Sequence, residues 1–204
     1  MPSRNLLRVD VADSYYHVYS RGVNSQIIFH DTADYSFFLS LLKRYLSLEP
    51  ARDKNNVLYP HIHGEIEVLC FCLMPTHIHL LVYQNQKGAL QKLMRGVMVS
   101  YGGYFNRKYK RHGPIFETRY KASLISDQTY LEHISRYIHL NPKEWRRYEY
   151  SSLPYFIGRH QAEWLMPAKI ISLFSSSEEY LQFLNNYVDY KKMLDEVKSE
   201  LAAG

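Results

Sequence analysis

The stretch Cys70-Phe-Cys-Leu-Met-Pro-Thr-His77-Ile-His79-Leu-Leu-Val82 constrains this chain more than any other. It is an apolar run with two histidines set two apart. An extended backbone sends alternate side chains to opposite faces. His77 and His79 therefore share one face, with Ile78, Leu80 and Val82 on the other. Two imidazoles side by side make half of a metal site. The plainer alternative is a pair of histidines satisfied by ordinary hydrogen bonds. His61-Ile-His63 repeats the spacing, but it sits beside Pro60 and Gly64 at an expected turn and ranks second.

The rest of the chain supplies partners for this strand. Tyr15 to Arg21 is rich in aromatic and β-branched residues and stops at Gly22, which predicts a strand and then a turn. Asp31 or Thr32 caps a helix reaching about Ser47, with Phe37, Phe38, Leu41, Leu42 and Tyr45 on one stripe. Ile66 to Leu73 and His77 to Tyr83 are strands, and with Met74-Pro75-Thr76 as a kink or a reversal between them they form either one bent strand or a hairpin. Gly88 to Tyr109 is a helix in which Gly96, Gly102 and Gly103 weaken it or permit close packing. Arg119 to Ile125 has strand character. Asp127 caps a helix stopped by Pro142, and a last amphipathic helix with Tyr180, Leu184, Tyr187 and Val188 follows Ser177. The order β-α-β-β-α-β-α predicts an α/β (α+β) ferredoxin-like sandwich, a central antiparallel sheet with helices on one face and a C-terminal helical tail.

Charge adds a functional hint. The net charge is +5, yet Lys87 to Arg147 holds thirteen Lys and Arg against four acids, +9, so the remainder carries −4. A basic middle in an otherwise acidic chain suits a polyanion, although a solvated surface is the simpler explanation. No apolar run approaches the roughly 20 residues that span a bilayer. The first residues lack a signal-peptide pattern, and Cys70 and Cys72 lie two apart on one strand, poor evidence for a disulfide. A cytoplasmic protein is expected.

Several segments then fall into one pattern. Tyr16-His-Val-Tyr-Ser-Arg-Gly-Val-Asn24, Met74-Pro-Thr-His-Ile-His-Leu-Leu81, Gly113-Pro-Ile-Phe-Glu-Thr-Arg-Tyr-Lys-Ala122, Arg136-Tyr-Ile-His-Leu-Asn-Pro142 and Tyr150-Ser-Ser152 occur in this order. Together they resemble the HUH single-tyrosine transposases, in particular the branch of REP-associated tyrosine transposases. The resemblance covers roughly residues 14–157. It departs at Thr76, where the family usually has Asn, at Glu117-Thr118, where Gln-Gly is more usual, and at Lys143-Glu144.

The resemblance implies a metal-dependent single-strand DNA endonuclease and strand transferase acting at hairpin-forming repeats. It assigns Tyr137 as the nucleophile that forms a 5′-phosphotyrosine. It assigns His77, His79 and Asn141 as ligands of a divalent cation, Mg²⁺ or Mn²⁺. A phenol with a pKa near 10 needs such help at neutral pH, and an amide oxygen suits a hard cation. Asn141 lies one helical turn past Tyr137, though Asn before Pro also suits a helix end. His139 points about 200° round the helix from Tyr137 and is not expected as a ligand. No nucleotide cofactor is needed, because one phosphoester replaces another. Arg107, Lys108, Lys110, Arg111, Arg119 and Lys121 are expected on the phosphate backbone, and Arg21 and Asn24 on a short guide sequence beside a hairpin. The expected partner is single-stranded or hairpin DNA with palindromic repeats, bound by a monomer or homodimer and not at a membrane. Residues 1–157 are expected to form the catalytic domain and 158–204 a helical extension. The rival functions are a DNA-binding module without strand transfer and a phosphodiesterase that uses water.

Overall fold

The computed structural model describes residues 10–117 and 119–186, so Tyr187 and Val188 of the last expected helix lie outside the described residues. Strands β1 (Ser14–Arg21), β2 (Ile66–Met74), β3 (His77–Gln84) and β4 (Lys121–Ile125) form one antiparallel sheet in the order β2-β3-β1-β4. The expected ferredoxin-like sandwich is what is observed.

Helices cover both faces of this sheet, which corrects the expectation of one. Helix α1 (Thr32–Leu46) and helix α2 (Ala89–Lys108) close over Val18, Ile78, Leu80 and Val82. Helix α3 (Gln128–His139) closes over Leu69, Cys70, Cys72 and Leu81. The reason lies in β2, which is apolar on both faces, together with Leu81 of β3. A single helical layer would leave half of that surface in water. The short helices α4 (Leu153–Phe156), α5 (Ala168–Ile171) and α6 (Ser177–Asn185) complete the α3 side through Phe156, Ile170, Tyr180 and Leu184.

The Pro75-Thr76 segment is a full reversal, not a kink. Met74 faces His77 and Ile66 faces Gln84 along a hairpin whose register shifts once, between Val68 and Cys70. The tip is held from outside: the Gly22 amide donates to the Thr76 carbonyl at 2.9 Å and the Ile28 amide to the Pro75 carbonyl at 2.7 Å. Gly22 is tightly placed there, since a Cβ would overlap the Gln26 carbonyl. On α2, Gly96 is the glycine that permits close packing, for a Cβ would overlap the Tyr45 ring of α1.

Helix ends follow the capping signals. Asp31 accepts from the Asp34 amide and Asp127 from the Tyr130 amide. The second His-x-His pair caps a C-terminus: His61 Nε2 lies 2.6 Å from the Ser47 carbonyl oxygen and His63 Nδ1 2.8 Å from that of Leu46. These rings satisfy carbonyls that α1 leaves orphaned. Changing both to Ala is expected to lower stability in urea unfolding by about 1–3 kcal/mol, at 0.5–1.5 per bond. It should leave Mn²⁺ binding in calorimetry unchanged.

A buried knot fixes the last turn of α3. His139 Nδ1 lies 2.7 Å from the Tyr180 hydroxyl and its Nε2 2.7 Å from Ser152 Oγ, with Cys70 Sγ at 3.3 Å. Three segments far apart in sequence thus meet on one imidazole. Among the described residues, no helix is long and apolar enough to cross a membrane.

Candidate active site

Strand register builds the floor of the site. Cys72, His79, Tyr19 and Lys121 stand abreast across the four strands, with Met74, His77 and Arg21 in the next rank. The two histidines face α3, as strand periodicity predicts. Their ring centroids are 5.0 Å apart. Helix α3 crosses this face and lays Tyr137 edge-on to His79, with centroids at 5.3 Å. The helix stops at His139, and Asn141 follows just beyond it. Leu140 is the residue that caps the helix, and Asn141 after it brings its Oδ1 to 3.1 Å from His77 Nε2. His139 turns into the knot and away from the cleft, as expected.

These groups border a cleft of about 180 Å³ whose polar lip is Arg21, Glu117 and Lys121. Both imidazoles have Nδ1 engaged on the far side. His77 Nδ1 lies 3.0 Å from Thr76 Oγ1, and His79 Nδ1 lies 3.0 Å from His17 Nε2. Thr76, the departure noted in the motif, thus still has a polar atom in reach of the ring. Burial pushes the pKa of His77 down and that of His79 well below its ordinary value, so both are neutral near pH 7. Neutral imidazole is the form that binds a metal.

The donor set fits a hard divalent cation. His77 Nε2 and Asn141 Oδ1 lie 3.1 Å apart, a hydrogen-bond distance, with the His79 ring beside them, and this donor chemistry suits such an ion. Among the described residues, no cluster of three or more His, Cys, Asp or Glu side chains is placed to hold a metal.

Tyr137 is 8% exposed, and burial raises its phenol above the ordinary value. Asn141 and the Arg21 guanidinium act in the opposite direction. A buried phenol of raised pKa is a weak nucleophile until its proton is drawn off.

The eight expected DNA contacts fall into different places. Arg21 and Lys121 line the cleft. Arg119 is exposed and lines a larger groove along α2, which shares Glu117 with the cleft. Asn24 is exposed in a tight turn with φ 52°, a conformation asparagine tolerates. Arg107 and Lys110 are exposed at the end of α2. Arg111 is tied inward by Gln26 Oε1 at 2.8 Å. Lys108 is committed elsewhere: its ammonium donates to Asp31 and to Asp34, each at 2.7 Å. Burial alone would raise the Asp34 carboxyl, but Lys108, the His30 amide and two tyrosine hydroxyls outweigh it and hold it below the usual range. Lys108 thus joins α2 to the start of α1, and the expectation that it tracks phosphate gives way to this internal contact.

Residues 61–141 match the family of IS200-like transposases. The IS200-like segment begins ahead of β2, contains His77, His79 and Tyr137, and ends on Asn141. No curated protein matches the chain in sequence. Among solved structures, a REP-associated tyrosine transposase bound to a REP hairpin aligns with a TM-score of 0.53 at 14% identity, over 83% of this chain and 93% of that one. A provisionally named transposase from Deinococcus radiodurans R1 aligns with a TM-score of 0.40 at 14% identity, over 64% of this chain and 92% of that one. At such identity the first is a likeness of fold.

Two residues outside the IS200-like segment belong to the site and were not singled out from sequence. Tyr19 lines the cleft and stacks on His17, with centroids at 5.4 Å. His17 is buried against His79. Strand alternation across Tyr15 to Arg21 places both on one face. Nothing in β1 alone says that this face is the one His79 occupies; that needs the pairing register.

Proposed function

We propose that this protein is a metal-dependent single-strand DNA nicking and joining enzyme of transposase type, acting at hairpin-forming repeats through a 5′-phosphotyrosine. The observation that supports the proposal is a cleft lined by Tyr137, His77 and His79 with cationic side chains at its lip, and with Asn141 in reach of His77. The match of the IS200-like segment supports the reaction class, and the hairpin bound by the structural relative supports the substrate.

In the proposed reaction His77, His79 and Asn141 hold Mg²⁺ or Mn²⁺, which supplies Lewis-acid stabilisation of charge on the scissile phosphate. Arg21 and Lys121 orient the strand at the lip. Tyr137 Oη attacks phosphorus and loses its proton to solvent. The bond from phosphorus to the 3′ oxygen breaks, and that oxygen takes a proton from solvent. The products are a 5′-phosphotyrosine and a free 3′-OH. A second 3′-OH reverses the step on a new strand, so no nucleotide cofactor is consumed.

The direct test uses end-labelled hairpin strands with Mn²⁺ on a denaturing gel. A protease-sensitive covalent band is the expected result. Nicking without that band would instead support the water-using phosphodiesterase, and retardation on native gels alone the binding module. The placement of Tyr137 beside His79 of the same chain favours a site assembled within one protomer. We further propose that residues 1–157 form the catalytic unit and 158–204 an extension, of which Ile170, Tyr180 and Leu184 pack on the α3 side.

The basic loop has its own test. Changing Arg107 and Lys110 to Ala is expected to lower the salt slope of single-strand binding by up to about 0.7 per lost phosphate contact. Lys108→Ala should leave that slope nearly unchanged and lower thermal stability. Equal slopes for wild type and the double variant would remove this loop from the DNA path.

A further inference from the structure

Behind His79 lies a buried histidine to which neither the motif resemblance nor the family match gives a role. His17 lies on β1, on the strand next to His79, and is 1% exposed. Its Nε2 is 3.0 Å from His79 Nδ1, and the two rings stack with centroids at 5.2 Å and planes 14° apart. Tyr19 stacks on its other neighbourhood at 5.4 Å, and Tyr137 meets its edge at 5.9 Å. A neutral imidazole has one N–H and one lone pair.

Only two proton arrangements make this hydrogen bond. If His17 donates, His79 accepts at Nδ1 and must carry its own proton on Nε2. That nitrogen then has no lone pair to give a cation. If His79 donates from Nδ1, its Nε2 lone pair is free on the cleft side. Resting on the metal-binding reading of the cleft given above, we infer that His17 is a positioning residue that accepts the His79 Nδ1–H bond and so holds His79 in the tautomer able to ligate a metal through Nε2.

The arrangement differs from that at His77. Thr76 Oγ1 lies by His77 Nδ1, and a hydroxyl can donate or accept by rotating. His17 cannot rotate to change its role: it must shift a proton between its own nitrogens inside a closed stack. The His79 tautomer is therefore set by the identity of residue 17. Outer partners of this kind are worth 10–100-fold in metal affinity where they have been removed.

Two measurements test the inference. Long-range ¹H–¹⁵N correlation spectra of the metal-free protein near pH 7.5 should show His79 protonated at Nδ1 and His17 protonated at its own Nδ1. A His79 protonated at Nε2 would overturn the inference, whatever the metal does. Calorimetric titration with Mn²⁺ should then show His17→Phe binding 10–100-fold more weakly than wild type. His17→Gln, whose amide oxygen can accept the same bond, should recover most of that loss. Equal affinity in wild type and His17→Phe would also overturn it. If His17→Phe fails to fold, the Gln variant and the wild-type spectra still decide. If wild type itself binds no Mn²⁺, the metal-dependent function falls, while the spectra separately judge the tautomer.

Discussion

Tyr137→Phe is expected to bind Mn²⁺ and hairpin DNA as wild type does, yet form no covalent adduct and no nick. The substitution removes one oxygen and keeps the ring edge-on to His79. The lost polar contact with Asn141 should cost no more than about 1.5 kcal/mol of stability. The activity loss should be on the order of 10⁴-fold or more, the scale seen when a nucleophile is removed. Two other tyrosines serve as controls. Tyr19 lines the same cleft, and Tyr130 stands in the first turn of α3. Their Phe variants should keep the adduct. An adduct at wild-type level with Tyr137→Phe would sink the mechanism, because a phenyl ring cannot attack phosphorus. Asn141→Ala should behave differently again. It keeps the hydroxyl and loosens the cation, so part of its activity should return at high Mn²⁺.

The second large effect is loss of stability in mild acid. Burial pushes the pKa of His17 down to about 4 and that of His139 down to about 3, and puts His79 well below its ordinary value. In the unfolded chain each titrates near 6.5. Between these values the unfolded state binds more protons, so stability rises with pH there and falls on acidification. The stabilising neutral form is fully effective above about pH 6.5 and is lost as pH drops toward the folded values. At pH 5 the His17 and His139 rings should each cost about 2 kcal/mol, from 1.36 kcal/mol per unit. Together these two should lower the thermal midpoint by on the order of 10 °C between pH 7.5 and 5, and His79 acts in the same direction. His139→Gln, which cannot ionise, should flatten that dependence. A midpoint constant over the same range would show that these rings are not held neutral by burial.

Much of the fold was legible because its signals are local. Asp31 and Asp127 cap the helices they precede, and the alternation through Ile78, His79 and Leu80 sorts the core from the cleft. What failed to show was set by distant partners. The Pro75-Thr76 reversal depends on Gly22 and Ile28 holding its carbonyls. The second helical face depends on Leu69 and Leu81 both needing cover. Within the site, His77, His79, Tyr137 and Asn141 could be named from motifs and are found together. His17 could not be singled out, since its meaning lies in the register between β1 and β3. Lys108 illustrates the opposite error. A lysine in a basic stretch looks free until the fold brings Asp31 and Asp34 beside it.

The knot at His139 has a consequence for how this chain tolerates change. One short helix carries Tyr137, then the tether at His139, and releases Asn141 at its end. A small tilt of that helix would displace attacking oxygen and amide ligand as a unit, while His77 and His79 stayed behind on the sheet. Tyr180 and Ser152, neither of them near the cleft, restrain that tilt from opposite ends of the sequence after α3. Substitutions at these two positions are therefore a route by which a descendant of this protein could fall silent with every motif residue intact.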